Sequence, residues 1–169
     1  MLASVVEWLA SKLNSAAGSA TIPSVVKSLS LVLRETGCRR LFLQHEGLHK
    51  IAIHMRAKTV SSSTTPSPFD VAAVVGVSGG NSKLDIQLLY ECGLCVWLLS
   101  FENPQAFVDA PQVLSSLVQV ICNVGKEKVV RVCVLALCNI AKDTAAELVG
   151  LGLPKGLENL KLQVCLFTL

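Results

Sequence analysis

Two histidines flank a glutamate in His45-Glu46-Gly47-Leu48-His49. Zinc peptidases use this spacing to set two imidazoles on one helical face, with the glutamate as general base. That chemistry needs an uninterrupted helix, whereas Gly47 falls where the chain is expected to turn from one short helix into the next. Glycine also costs about 1 kcal/mol relative to alanine inside a helix. The longer motif has a third histidine, which would fall at Met55; the nearest one, His54, is out of register. No helix bearing a further carboxylate ligand follows. The residues point to a turn, and neither a metal nor another cofactor is expected.

Cys92 and Cys95 have the spacing of a redox or metal dithiol. They lie mid-helix among Leu88, Leu89, Leu94 and Leu98, without a preceding strand or a second such pair, so they are expected to pack as small core residues. The glycines at 76, 79 and 80 precede no Gly-Lys-Ser/Thr and no strand-helix unit, which argues against a phosphate loop. No Ser, His and Asp constellation stands in an interpretable context. The expected catalytic set is therefore empty.

The 169-residue chain that must position these residues is 51% hydrophobic and 16% charged, enough apolar surface to fold as one domain or part of one. Its net charge of +3 comes from dispersed basic residues, Arg39 and Arg40 being the densest pair. A nucleic-acid footprint would cluster them, so no nucleic-acid partner is expected. The most apolar stretches, Ile86 to Phe101 and Val129 to Ala141, contain Glu91 and Arg131 and fall short of the roughly 18 to 20 uncharged residues of a membrane span. The N-terminus lacks the pattern of a secretory signal. A soluble cytosolic protein is expected, its seven cysteines kept as reduced core thiols.

Aromatic residues make up 5% of the chain, and apolar positions recur every three or four residues. Helices are expected at Val5 to Leu13, Pro23 to Arg34, Arg39 to Gln44, Leu48 to Arg56, Asp85 to Ser100, Gln105 to Val108, Gln112 to Val124, Glu127 to Ala141, Thr144 to Val149 and Pro154 to Leu162. Gly37, Gly47, Gly125 and Gly150 mark stops; Pro23, Pro104, Pro111 and Pro154 mark starts. A shift of 41 residues lays Leu88 to Cys95 on Val129 to Ala136 and Phe107 on Leu148 with the apolar ladder kept. A period near 40 with one short and two longer helices predicts an all-α, right-handed armadillo/HEAT-like solenoid over residues 1–163.

In such a stack the third helix of each unit is sandwiched between its neighbours and keeps a narrow solvent stripe on the concave side. The expected stripe is Lys128, Arg131, Leu135, Asn139 and Lys142 on one helix and Gln87, Tyr90, Leu94 and Leu98 on the preceding one. The candidate partner-binding face is Lys126, Glu127, Lys128 and Arg131 with Gln87 and Tyr90, while Trp97 is expected to anchor the core. Residues 58–83 hold six serines, three glycines and two prolines. They are too long for an inter-helix connection of about two to eight residues and predict a flexible insertion. The apolar run Val71 to Val77 within it could dock back on the stack.

Three blocks, Asp85 to Phe101 with Gln-Leu-x-Tyr and Trp-Leu-Leu, Lys126 to Val132 with Lys-Glu-Lys-Val-x-Arg, and Leu151-Gly-Leu-Pro154, occur in the order and spacing seen in the H subunit of the V-type proton ATPase. The chain resembles that family, the plant and green-algal members above all. Val5-Val-Glu-Trp-Leu9 and the Gly47 turn extend the likeness over most of residues 4–163. The resemblance implies a non-catalytic component of the peripheral V1 sector, with this chain matching the later part of the family's N-terminal armadillo/HEAT-like domain. In the family that domain associates with the peripheral stalk formed by the E and G subunits. A C-terminal domain helps couple hydrolysis to proton flow and silences the detached sector. The location implied is cytoplasmic, on a vacuolar or other endomembrane surface through the complex. The His-Glu-x-x-His sequence, the long connection at 58–83 and the tail at 164–169 depart from the family pattern. A fragment of a longer polypeptide is therefore expected, without the silencing role. With no polar caps on the stack, it is expected to be marginally stable or prone to aggregate.

Two other functions make different demands on the residues. A generic armadillo adaptor would repeat Trp-x-x-x-Asn on successive third helices, but Asn139 follows Leu135 and Trp97 precedes Phe101 at that spacing. A zinc peptidase would need His45, Glu46 and His49 on one helix.

Overall fold

The structure, a computed structural model, describes residues 2–14, 20–62 and 81–167. Among the described residues there are nine α-helices and no strand. They are α1 (Leu2–Lys12), α2 (Ile22–Val32), α3 (Thr36–Gln44), α4 (Gly47–Ser62), α5 (Asn81–Ser100), α6 (Gln105–Val108), α7 (Pro111–Asn123), α8 (Glu127–Gly150) and α9 (Leu153–Phe167). Prolines sit where their fixed φ and missing N–H cost least: Pro23 in the first turn of α2 and Pro111 opening α7. Gly37, expected at a stop, is instead the second residue of α3.

The helices recur in a fixed order. α3, α4 and α5 form one unit, and α6, α7 and the first part of α8 form the next. α8 is two helices joined at Thr144, whose φ of −120° and ψ of 17° leave the helical region where the break is expected. α2 packs on α5 and α5 on α8, while α4 packs on α7 and α7 on α9. Rows of equivalent helices stacked in this way make an all-α helical solenoid.

Burial follows the 41-residue shift. Leu88, Cys92, Cys95, Val96 and Leu99 of α5 are buried, as are their counterparts Val129, Cys133, Ala136, Leu137 and Ile140 of α8. Phe107 and Leu148 also match, both buried. Contacts ascend together along α5 and α8, from Gln87 with Lys128 to Ser100 with Asn139, so the two helices run parallel. Gly93 lets them approach: a Cβ there would come within 2.8 Å of Val132 Cγ1.

The expected insertion at 58–83 lies for the most part outside the described residues, as does the run Val71 to Val77. At its margins, 58–62 belong to α4 and 81–83 to α5. No helix among the described residues is long and apolar enough to cross a membrane.

Candidate functional site

The His45–His49 motif straddles a turn. His45 caps the end of α3, and Glu46 has a φ of +56°, in the left-handed region that disfavours side-chain-bearing residues. Gly47 then opens α4 pressed against Phe42, where a Cβ would collide with the ring and sit 2.6 Å from the carbonyl oxygen. The imidazoles thus stand on two different helices and face different ways. His45 Nε2 lies 3.9 Å from Glu7 Oε1, and His49 Nδ1 is 2.8 Å from Gln112 Nε2 on α7. Among the described residues no group of His, Cys, Asp and Glu has the geometry to hold a metal. His54, the other histidine, is buried with Nε2 2.9 Å from Leu13 O, tying α4 to the end of α1.

Cys92, Cys95 and Cys133 are buried free thiols. Burial, with Cys133 and Glu91 adding to it, pushes the Cys92 thiol far above its usual range. Burial, then Cys92 and Glu91, does the same to Cys95, and burial pushes Cys133 up to about 12. These groups are protonated packing residues rather than nucleophiles. Cys122 and Cys138 are exposed, against the expectation of core thiols. Cys138 occupies the position that half-buried Trp97 holds one repeat earlier, at the edge of the stripe.

The face expected to bind a partner is assembled from the start of α8 and the middle of α5. Lys128 Nζ donates to Gln87 Oε1 at 2.9 Å and stands 5.0 Å from the centre of the Tyr90 ring. Gln87 Nε2 in turn donates to Glu91 Oε1 at 2.8 Å. Glu127 and Arg131 pair with each other along α8, and Lys126 precedes them as the extended N-cap residue. The structure therefore brings Gln87, Tyr90 and Lys128 into one cluster, with the Glu127–Arg131 pair beside it. Of the longer stripe, Leu135 and Lys142 are exposed, while Asn139 turns toward α5 and donates to Ser100 Oγ at 2.8 Å. Trp97 is half-buried against the core and meets the exposed Phe101 edge-on, ring centres 5.2 Å apart.

Two further polar assemblies stand behind this face. Glu91 is buried, and its Oε2 lies 2.8 Å from Ser30 Oγ on α2, so one hydrogen-bonded chain, Ser30–Glu91–Gln87–Lys128, crosses three consecutive helices of the row. The signal in the sequence is a single acid inside an otherwise apolar run, which can only be buried if it finds donors. Its donor Ser30 carries no such mark. At the other end of α5, Glu102 receives Arg39 Nε at 3.1 Å and Arg40 Nε at 2.5 Å. The Arg40 hydrogen bond first, then that of Arg39, outweighs burial and lowers the Glu102 carboxyl below its ordinary range. Arg39 also donates to Leu33 O, Arg34 O and Thr36 Oγ1, closing the end of α2. A cleft of about 450 Å³ beside the α3–α4 turn is lined by Leu43, Glu46, His49, Asp109 and Gln112 among others.

Ser30 and Glu91 bring a hydroxyl and a carboxylate together, but both are buried in the seam between α2 and α5, and the exposed arrangement is a patterned helical surface. A family model for the V-ATPase H subunit matches residues 1–164. A probable V-type proton ATPase H subunit from Oryza sativa subsp. japonica is 34% identical over 167 residues, covering 96% of this chain and 32% of the rice protein. This chain thus spans about a third of the length of that relative. No solved structure matches. An all-α stack of helices, matched over nearly its whole length by the family model and by the rice relative, places the chain in the V-ATPase H-subunit family.

Proposed function

We propose that the protein acts as a non-catalytic structural and regulatory part of the peripheral V1 sector of a V-type proton-transporting ATPase. In this reading it binds the peripheral stalk formed by the E and G subunits and supports the coupling of ATP hydrolysis to proton transport. Family membership over residues 1–164 carries the reading. The chemistry agrees with it: the α3–α4 turn sets His45 and His49 apart, and Cys92, Cys95 and Cys133 are buried thiols. The chain would sit on the cytoplasmic side of a vacuolar or other endomembrane, held there by the complex. Its contact face would be Lys126, Glu127, Lys128, Arg131, Gln87 and Tyr90.

The test is association of the purified chain with a reconstituted E–G stalk pair, together with an ATPase assay of the chain alone. Micromolar binding without ATP hydrolysis is expected. Failure to bind the stalk pair at that concentration, or turnover by the isolated chain, overturns the proposal.

A further inference from the structure

A lysine on a helix surface ordinarily keeps its rotamer freedom in water. Lys128 is instead held from two sides, by the amide oxygen of Gln87 and by the face of Tyr90. Gln87 is itself fixed by Glu91, and Glu91 by Ser30, so the ammonium is anchored through a chain that ends in the buried seam between α2 and α5. An ammonium has three N–H donors and a guanidinium five. Lys128 uses one on Gln87, and Arg131, one turn further along the same helix, engages Glu127 through Nη2. The remaining donors lie on an exposed face where Lys126, Lys128 and Arg131 outnumber Glu127. The next turn is apolar: Leu135 is 43% exposed, and Leu94 on α5 is half-buried.

We propose that this face takes an extended acidic segment of a partner protein. Its carboxylates accept from Lys128 and Arg131, and its apolar side chains cover Leu94 and Leu135. The inference rests on the stalk-binding reading and names the chemistry of the segment that would be held. Carboxylates fit because charge-assisted hydrogen bonds to pre-positioned cations lose little side-chain entropy on binding. An extended chain fits because neighbouring helix axes lie about 8–10 Å apart, a step that a strand covers in roughly three residues.

The experiment is a fluorescence-anisotropy titration of the full chain with a labelled peptide of about twelve residues, repeating Glu-Leu-Ser-Glu, long enough to cross the row. Saturable binding is expected. Lys128→Gln combined with Arg131→Gln should weaken it about tenfold or more, the loss of about 1.4 kcal/mol, while Lys128→Arg should retain it. Both substitutions are on the surface, and unchanged helical circular dichroism confirms the fold. Equal binding of a Lys-Leu-Ser-Lys peptide, or an acidic peptide indifferent to the double substitution, overturns the proposal. So does charge-dependent binding seen only with phosphatidylserine vesicles. If the E–G pair binds wild type and double variant alike, the acidic-segment docking fails and stalk binding stands. If the acidic peptide binds in the expected way and the E–G pair does not, the reverse holds.

Discussion

Helices α5 and α8 are successive copies of the same element, and they differ where it matters. Both bury the same ladder of small and branched side chains, yet α5 carries Glu91 where α8 carries Val132, and Gly93 where α8 carries Val134. α5 has a packed helix on each side, α2 and α8, and must come close to both. Gly93 grants the approach to α8, and Glu91 reaches the hydroxyl on α2. The same contrast appears in the turns. The α8–α9 turn puts Gly152 at a φ of +79°, whereas the α3–α4 turn puts Glu46 at +56°. The repeat supplies the packing, and departures from it supply the polar connections and the strain.

Substitutions that make one copy resemble the other test this contrast. Val132→Glu, the largest expected effect, places a carboxyl in the α8 seam without the Ser30 and Gln87 donors and should cost about 3–5 kcal/mol. The reciprocal Glu91→Val, which exchanges a buried polar group for an apolar one, should stay within about 1 kcal/mol. Chemical denaturation of the pair measures both; equal losses would show that the two positions are equivalent after all. Gly93→Leu comes next, with a loss of about 3 kcal/mol from overpacking against Val132 and Cys133. At half-buried Val134, Leu should cost less than about 1 kcal/mol.

The ends of the two helices allow a smaller test. Glu102 is clasped by Arg39 and Arg40, while its counterpart 41 residues on, Asp143, is exposed. Glu102→Gln should cost about 1–2 kcal/mol at neutral pH, and Asp143→Asn close to nothing. Because the Glu102 carboxyl is held below its ordinary 4.5, its contribution is complete above that pH and fades as the pH falls below it. Stability curves of wild type and Glu102→Gln should therefore converge in acid; parallel curves would refute the clasp. Smallest is Glu46→Gly, which gives the first turn the residue type of the second. Relief of the left-handed backbone should raise stability by up to about 1 kcal/mol, read as an upward shift of the melting temperature.

The apolar ladder of α5 was legible because burial on a sandwiched helix repeats every three to four residues, and the break at Thr144 because Ala141-Lys142-Asp143 interrupts that rhythm. Gly47 marked a turn, and the turn alone separates His45 from His49. The Arg39–Glu102 and Ser30–Glu91 contacts were not legible. Their partners lie 63 and 61 residues apart, and nothing local to a serine or an arginine announces which helix will face it.

Sequence by itself determined the all-helical class, the period near 40 and the family, since these follow from patterns that recur along one chain. Tertiary structure decided which polar side chains became partners: Lys128 over Tyr90, Gln87 between Lys128 and Glu91, and His49 turned to Gln112 rather than to His45. The reason is physical. Periodicity fixes which face of a helix is buried, but a hydrogen bond depends on distance and angle between helices, and only their stacking sets those.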